Sequence, residues 1–198
     1  MDIYTIIFIG PQGSGKGTQI AKLDAVLKEK DPTGKVVDFQ TGRRFRALGM
    51  RAEGYTEQKV GEGLNNGALQ PLFLSIVLWG DAMREHMTPS CHALIDGFPR
   101  TVAEAEVLET ALDYYERKNV VVINLETPED IVRGRMIARS RSDDTKDSIE
   151  ERLRWYREET LEVLKYYRAR ANTQVFDIDG TQDIENVHTQ ILSALNVG

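Results

Sequence analysis

A glycine-rich segment lies between a short β-branched run and a helical segment near the N-terminus of this 198-residue chain. Residues 10–18 read Gly-Pro-Gln-Gly-Ser-Gly-Lys-Gly-Thr and contain the pattern G-x-x-x-x-G-K. Between a strand and a helix this pattern predicts a phosphate-binding loop. Glycines let backbone N–H groups turn inward around phosphate oxygens, and the helix presents its positive end to the same anion. Lys16 is expected to reach the β- and γ-phosphates of a nucleotide.

The hydroxyl position of this loop departs from the usual pattern. Gly17 follows the lysine where a serine or threonine is usual, and the hydroxyl comes one position later at Thr18. The pattern alone therefore does not assign a direct hydroxyl ligand to Mg²⁺.

Strand-like and helix-like segments alternate along the rest of the chain. Short apolar, β-branched runs predict strands over residues 3–9, 36–39, 93–95, 120–125 and 174–178. Helical periodicity predicts helices over residues 16–29, 43–52, 56–65, 71–85, 102–116, 128–139, 148–170 and 183–195. This alternation predicts an α/β fold, a five-stranded parallel sheet between two helical layers. Ligands of such sheets bind beyond the carboxyl ends of the strands.

The charge and composition of the chain argue against several kinds of ligand and cellular location. The net charge of −6 disfavours a long nucleic acid as a ligand, since the two would repel each other. Cys91 is the only cysteine, which excludes a disulfide framework and a cysteine zinc site. Residues 1–9 are too short and too acidic for a signal peptide, and no apolar run is long enough to span a membrane. We therefore expect a cytoplasmic protein.

Further motifs follow the phosphate loop in a recognisable order. They are Thr41-Gly42 with Arg46, Asn66-Gly67-Ala68-Leu69-Gln70-Pro71, Asp96-Gly97-Phe98-Pro99-Arg100, Arg141-Ser142-Asp143-Asp144 with Arg152, and Gly180-Thr181-Gln182. With residues 10–18, this set resembles the adenylate kinases and their nucleoside monophosphate kinase relatives over almost the whole chain. The resemblance implies one P-loop domain that acts as a monomer. Its core would be residues 1–40, 71–135 and 148–198, with a helical monophosphate-binding lobe at 41–70 and a short lid at 136–147.

The resemblance also implies a role for each motif. ATP would be held by Gly13, Ser14, Gly15, Lys16, Gly17, Thr18, Arg135, Arg139 and Gln182. The nucleoside monophosphate would be held by Thr41, Arg46, Ala68, Leu69, Gln70, Gly97, Phe98, Pro99, Arg100, Glu104, Arg141 and Arg152. Lys16, Arg100, Arg139, Arg141 and Arg152 would neutralise the charge of the transferring phosphoryl group. Mg²⁺ would have no direct protein ligand and would be held through water by Asp96, and no zinc is expected.

Two positions differ from the family pattern. Glu104 stands where the family has a glutamine that reads the acceptor adenine, and Arg43 stands where an acidic residue is usual. An ionised carboxylate only accepts hydrogen bonds, so Glu104 suits guanine better than adenine. Three interpretations stay open: AMP with help from another group, a different acceptor such as GMP or dGMP, or poor selectivity.

Two other classes of protein share part of this set of motifs. A GTPase-type switch would share the phosphate loop, but its guanine-reading N-K-x-D motif is absent from the sequence. An inactive nucleotide-sensing relative would have no need for Lys16, Arg100, Arg141 and Arg152, which are all present. The motifs therefore favour a phosphotransferase that moves the γ-phosphate of Mg-ATP to a nucleoside monophosphate.

Overall fold

A computed structural model describes residues 2–51 and 53–197. Its five strands are β1 (Thr5–Ile9), β2 (Lys35–Gln40), β3 (Cys91–Asp96), β4 (Val120–Glu126) and β5 (Thr173–Asp179). They form one sheet in the order β2-β3-β1-β4-β5, and every neighbouring pair is parallel. The predicted five-stranded parallel α/β fold is confirmed.

Helices connect the strands. They are α1 (Lys16–Lys30), α2 (Thr41–Gly49), α3 (Tyr55–Asn65), α4 (Leu72–His86), α5 (Val102–Tyr114), α6 (Glu129–Arg139), α7 (Lys146–Trp155), α8 (Leu161–Arg168) and α9 (Ile184–Leu195). The helix predicted over 43–52 begins two residues earlier and ends at Gly49, and the predicted end, Ala52, lies outside the described residues. Among the described residues, no helix combines the length and apolarity needed to cross a bilayer.

The two faces of the sheet are buried by different helices. One buried cluster joins the sheet to α4, α5 and α8, and a second joins it to α1 and α9. Ile7 and Ile9 belong to the first cluster, whereas Ile6 and Phe8 belong to the second, because successive side chains of a strand point to opposite faces. This apolar burial is the main favourable contribution to folding, and it holds the carboxyl ends of β1 and β3 side by side.

The helix predicted over 148–170 is interrupted. Between α7 and α8 lies a π-helical turn, Tyr156–Thr160, where hydrogen bonds skip one residue further than in an α-helix. The hydroxyl of Thr160 donates to the carbonyl oxygen of Arg100 at 3.2 Å. Apolar periodicity could not show this turn, because the chain stays helical on both sides of it.

Candidate functional site

A cavity of about 620 Å³ lies at the carboxyl edge of the sheet. Its walls are the glycine-rich loop, the loop after β3, helix α6, the π-helical turn and the loop after β5. The cavity therefore lies where a parallel sheet of this type binds its ligands.

The glycine-rich loop has the backbone that a phosphate cradle needs. Gly13 has a φ of +89°, and a Cβ atom there would lie 2.8 Å from the carbonyl oxygen of Val132. Helix α1 begins directly after the loop, so its N-terminal N–H groups face the same space. The ammonium group of Lys16 donates to the carbonyl oxygens of Gly10 at 2.7 Å and Pro11 at 2.9 Å.

Cationic side chains converge on this cavity. The lining includes seven of them, Lys16, Arg43, Arg46, Arg100, Arg135, Arg139 and Arg141, against one acidic residue among those described, Asp96. Burial lowers the pKa of Lys16, and Arg100 and Arg139 lower it further while Asp96 opposes them. Burial also lowers the pKa of Arg46, again with help from neighbouring arginines. A polyanion in this cavity would relieve that mutual repulsion.

Arg100 is fixed by the elements around it. Its Nε donates to the carbonyl oxygen of Gly97 at 2.6 Å, and its guanidinium lies 5.2 Å from the centre of the Trp155 ring. The hydroxyl of Thr41 donates to the same Gly97 oxygen at 2.9 Å. The start of α2 and the loop after β3 are thereby joined beneath the arginines.

The three arginines of α6 and the loop after it differ in their hydrogen-bond partners and exposure. Arg135 donates to the carbonyl oxygens of Gly180 at 3.0 Å and Ser14 at 3.4 Å. Arg139 makes two parallel bonds to the carboxylate of Asp144, at 2.6 and 2.9 Å. Arg141 is exposed and lines the cavity.

Arg152 is only 4% exposed and lies behind the cavity wall. It donates to Asp143 at 2.8 Å, to Asp144 at 2.6 Å and to the carbonyl oxygen of Leu64 at 3.2 Å. Burial would raise the pKa of Asp144, but Arg139 and Arg152 outweigh it and hold that pKa below its usual range. In this structure Arg152 lines a small adjoining recess of about 20 Å³ rather than the main cavity.

Glu104, which the resemblance places at the acceptor base, has its carboxylate inside the protein in this structure. It is 2% exposed and lines neither the cavity nor the recess. One carboxylate oxygen accepts from the backbone N–H of Arg100 at 2.7 Å, and the other accepts from the indole of Trp79 at 3.1 Å. Its carboxylate therefore faces the protein, because these two donors satisfy it internally.

Comparison with known proteins agrees with this geometry. The sequence model described as Adenylate kinase matches residues 8–172. The chain is 33% identical to the adenylate kinase of Corynebacterium urealyticum over 198 residues, which cover 96% of this chain and 98% of that relative. It is 34% identical to the adenylate kinase of Rhodococcus erythropolis over 197 residues, with 96% and 98% covered. It is 33% identical to that of Synechococcus sp. over 196 residues, with 96% and 95% covered.

The chain belongs to the adenylate kinase family. It is therefore a phosphotransferase of the nucleoside monophosphate kinase type, and the confirmed sheet and P-loop supply its framework.

Most of the site residues that the motifs predicted line either the main cavity or the small recess beside it. The main cavity is lined by Gly13, Ser14, Gly15, Lys16, Gly17, Thr18, Arg46, Asp96, Gly97, Phe98, Pro99, Arg100, Arg135, Arg139, Arg141 and Gln182. The recess is lined by Ala68, Gln70 and Arg152, and shares Arg46 and Arg100 with the cavity. Thr41, Leu69 and Glu104 line neither space.

The lining residues that the sequence did not predict include Arg43, Trp155 and Tyr156. Arg43 lies inside the Thr41–Arg46 motif, so its position and charge could have indicated it. The two aromatic residues gave no comparable signal, because only the π-helical turn after α7 brings Tyr156 to the cavity.

The oxygen-bearing side chains at this site suit Mg²⁺. Asp96 is half-buried at the end of β3, and the hydroxyl-bearing Thr18 lines the same cavity. No group of three or more His, Cys, Asp or Glu residues among those described could cage a metal ion. A lone carboxylate beside a phosphate loop fits Mg²⁺ that keeps most of its waters and is bound mainly by substrate phosphates.

Proposed function

We propose that this enzyme transfers the γ-phosphate of Mg-ATP to AMP, giving two ADP. One observation carries the proposal: the phosphate loop and seven cationic side chains converge on one cavity above the sheet. Two nucleotides that meet through their phosphates would supply the negative charge that this arrangement requires.

The donor phosphates would lie in the glycine-rich loop at the start of α1. Lys16 would exchange its contacts with Gly10 and Pro11 for phosphate oxygens, a change of partner that its long side chain allows. Arg135 and Arg139 would hold the donor from α6, and Gln182 would contact its base. Asp96 would hold Mg²⁺ through water, and the ion when bound would neutralise charge on the phosphates.

The acceptor phosphate would lie between Arg46 and Arg100, whose forked guanidinium groups match its oxygens. Arg141 lines the same cavity and would reach the transferring group. No general base is needed, because the attacking oxygen of a nucleoside monophosphate is already ionised near neutral pH. The protein's part is to align the two phosphates and to stabilise the charge that develops between them.

Residues 41–70 and 136–147 would be the moving parts of a working monomer. The second segment includes the short loop between Arg139 and Lys146, so closure would depend on arginine–phosphate contacts rather than on a long flap. Such movements exclude water from the reacting phosphates and often limit turnover.

AMP is proposed as the acceptor because the relatives named above are adenylate kinases. The argument for GMP or dGMP depended on a carboxylate at position 104 that faces the base. In this structure both oxygens of Glu104 accept hydrogen bonds, from Arg100 and Trp79, which supports proposing AMP first, with GMP or dGMP as the alternative acceptor.

A coupled assay of ADP formation tests the proposal. The enzyme would be supplied with Mg-ATP and, in turn, AMP, dAMP, GMP, dGMP, CMP, UMP and dTMP. AMP is expected to give the highest kcat/KM. ADP formed with none of these acceptors would refute the kinase, and a clear preference for another base would refute AMP as its substrate.

A further inference from the structure

The recess beside the main cavity is lined by a mostly buried side-chain amide, that of Gln70. Gln70 is 8% exposed, and its amide has no hydrogen-bond partner within residues 2–51 and 53–197. It lines the recess together with Phe45 and Leu64. Neither polar atom of this amide is both fully buried and unpaired, so the amide reaches the open space of the recess, where a ligand could bond to it.

The amide of Gln70 packs against the backbone of α3 at Gly63. A Cβ atom built on Gly63 of α3 would lie only 2.6 Å from the Nε2 atom of Gln70. Gly63 is helical and has no positive φ, so local backbone conformation does not require a glycine there. The absent side chain instead leaves space for the amide at the recess.

The recess is continuous with the phosphate end of the cavity. Both spaces are lined by Gln12, Gly42, Arg46, Arg100 and Trp155. An acceptor whose phosphate contacts Arg46 and Arg100 would therefore direct its base into the recess. Phe45 and Leu64 supply apolar walls for the flat faces of a base, and Gln70 supplies a side-chain amide that lines the recess but not the main cavity.

We propose that the side-chain amide of Gln70 reads the acceptor base, the role that the family pattern gives to position 104. The proposal depends on the proposed function, since it assumes a nucleoside monophosphate acceptor. The amide nitrogen donates to the ring nitrogen of adenine, and the amide oxygen accepts from the exocyclic amine. Glu104 is instead a positioning residue that holds the Arg100 backbone and the Trp79 indole.

Base binding requires the recess to widen. Its present volume of about 20 Å³ is near that of one water molecule. Two contacts across it would have to lengthen, from Arg152 to the Leu64 carbonyl at 3.2 Å and from Trp155 to the Gly67 carbonyl at 3.0 Å. Base recognition by Gln70 is thereby coupled to movement of α3 away from α7.

The test compares acceptors that share one phosphate but differ at the base edge. AMP and purine riboside 5′-monophosphate differ only in the exocyclic amine, so the ratio of their kcat/KM values isolates contacts to that amine. Wild-type enzyme is expected to prefer AMP by about tenfold or more, because the analogue leaves the amide oxygen unpaired. In Gln70→Met the ratio should fall to within about threefold of unity, since the thioether neither donates nor accepts strongly.

Two further variants sharpen the test. Gln70→Glu removes the donor but keeps the acceptor, so the ratio of kcat/KM for GMP to that for AMP should rise about tenfold, because guanine presents two donors. Gly63→Ala should displace the amide and lower the preference for AMP without altering position 70. Gln174→Glu, on the exposed surface of β5, is the matched control and should leave both ratios unchanged.

The outcomes separate this inference from the proposed function. Thermal melting confirms that each variant is folded before its ratios are compared. If wild type forms ADP from AMP but both ratios stay within about twofold in the Gln70 and Gly63 variants, the base-reading role is refuted while the kinase activity stands. If wild type uses no acceptor, the proposed function itself fails, and Gln70 has no base to read.

Discussion

The indole Nε1 of Trp155 donates a 3.0 Å hydrogen bond to the backbone carbonyl oxygen of Gly67. This bond joins α7 to the turn that follows α3, 88 residues apart in the chain. The approach is close, since a Cβ atom at Gly67 would lie 2.2 Å from the carbonyl oxygen of Ser148. The monophosphate segment and the helix after the lid loop therefore meet through this indole and close backbone packing, in addition to the bond from Arg152 to the Leu64 carbonyl.

Replacing Trp155 by phenylalanine should weaken this junction. The variant loses the N–H donor but retains an aromatic ring against Arg100. We expect the free energy of unfolding to fall by about 1–2 kcal/mol, measured by urea denaturation, because the buried Gly67 carbonyl loses its partner. Tyr114→Phe, at a ring that is 80% exposed, is the aromatic control. Equal stability of the Trp155 variant and wild type would show that the hydrogen bond contributes nothing.

Lys16→Ala tests the phosphate loop. Loss of this ammonium group should lower kcat/KM for Mg-ATP by at least about 10²–10³-fold, because it removes a charge directed at the transferring phosphates. The fold should survive, since the carbonyl oxygens of Gly10 and Pro11 can bind water instead. Lys22→Ala, on the same helix but paired with Glu185, is the matched control. Turnover within a few-fold of wild type would contradict a catalytic role for Lys16.

Asp144→Asn tests the buried charge cluster at the lid. Asp144 bonds both Arg139 and Arg152, so its neutralisation leaves Arg152 buried with one carboxylate fewer. We expect a loss of about 3 kcal/mol in the free energy of unfolding. The pKa of Asp144 is held low, so its stabilising effect should be present at neutral pH and fade as pH falls through that lowered pKa. Glu151→Gln, in a half-exposed pair with Arg154, should change stability little and serves as the comparison.

His92 should give the protein a pH-dependent stability. Its side chain is fully buried in β3, where Nδ1 accepts from the backbone N–H of Tyr4 at 3.3 Å. Burial lowers its pKa, although Asp31 at 3.5 Å opposes the shift. The unfolded state therefore binds the proton more readily below about pH 6.5, so the stabilisation is complete above that pH and is lost as pH falls.

A comparison with His92→Asn isolates this contribution. The asparagine oxygen can replace Nδ1 as an acceptor but does not titrate. Urea denaturation between about pH 7.5 and pH 5.5 should show a steeper loss of stability in wild type than in the variant. The buried His188, whose pKa is also lowered by burial, contributes equally to both proteins. Parallel pH profiles would exclude His92 as the source.

Local patterns predicted the elements that place the phosphates. The β-branched run before Gly10 and the helix after Lys16 identified β1 and α1, since each element is determined by its own side chains. Alternation of strands and helices then required a parallel sheet, and the carboxyl ends of β1 and β3 meet where the motifs predicted.

Contacts between distant segments could not be predicted in the same way. The resemblance places the Glu104 carboxylate at the acceptor base, but it could not show the hydrogen bond from Trp79, a residue 25 positions away on another helix. The partner of Arg152 on the other segment, the carbonyl of Leu64, is a backbone group that no residue type reveals. Such pairs depend on how α4, α5 and α7 pack, which local periodicity does not encode.

The stoichiometry of phosphoryl transfer distinguishes a kinase that uses AMP from an enzyme that only hydrolyses ATP. Phosphorus NMR would follow the enzyme with equal amounts of Mg-ATP and AMP, and the γ-phosphate signal of ATP should fall as the AMP signal falls. A kinase that uses AMP should form two ADP for each AMP consumed and release no free phosphate. ATP loss with release of inorganic phosphate while AMP stays constant, or no change in either nucleotide, would contradict it.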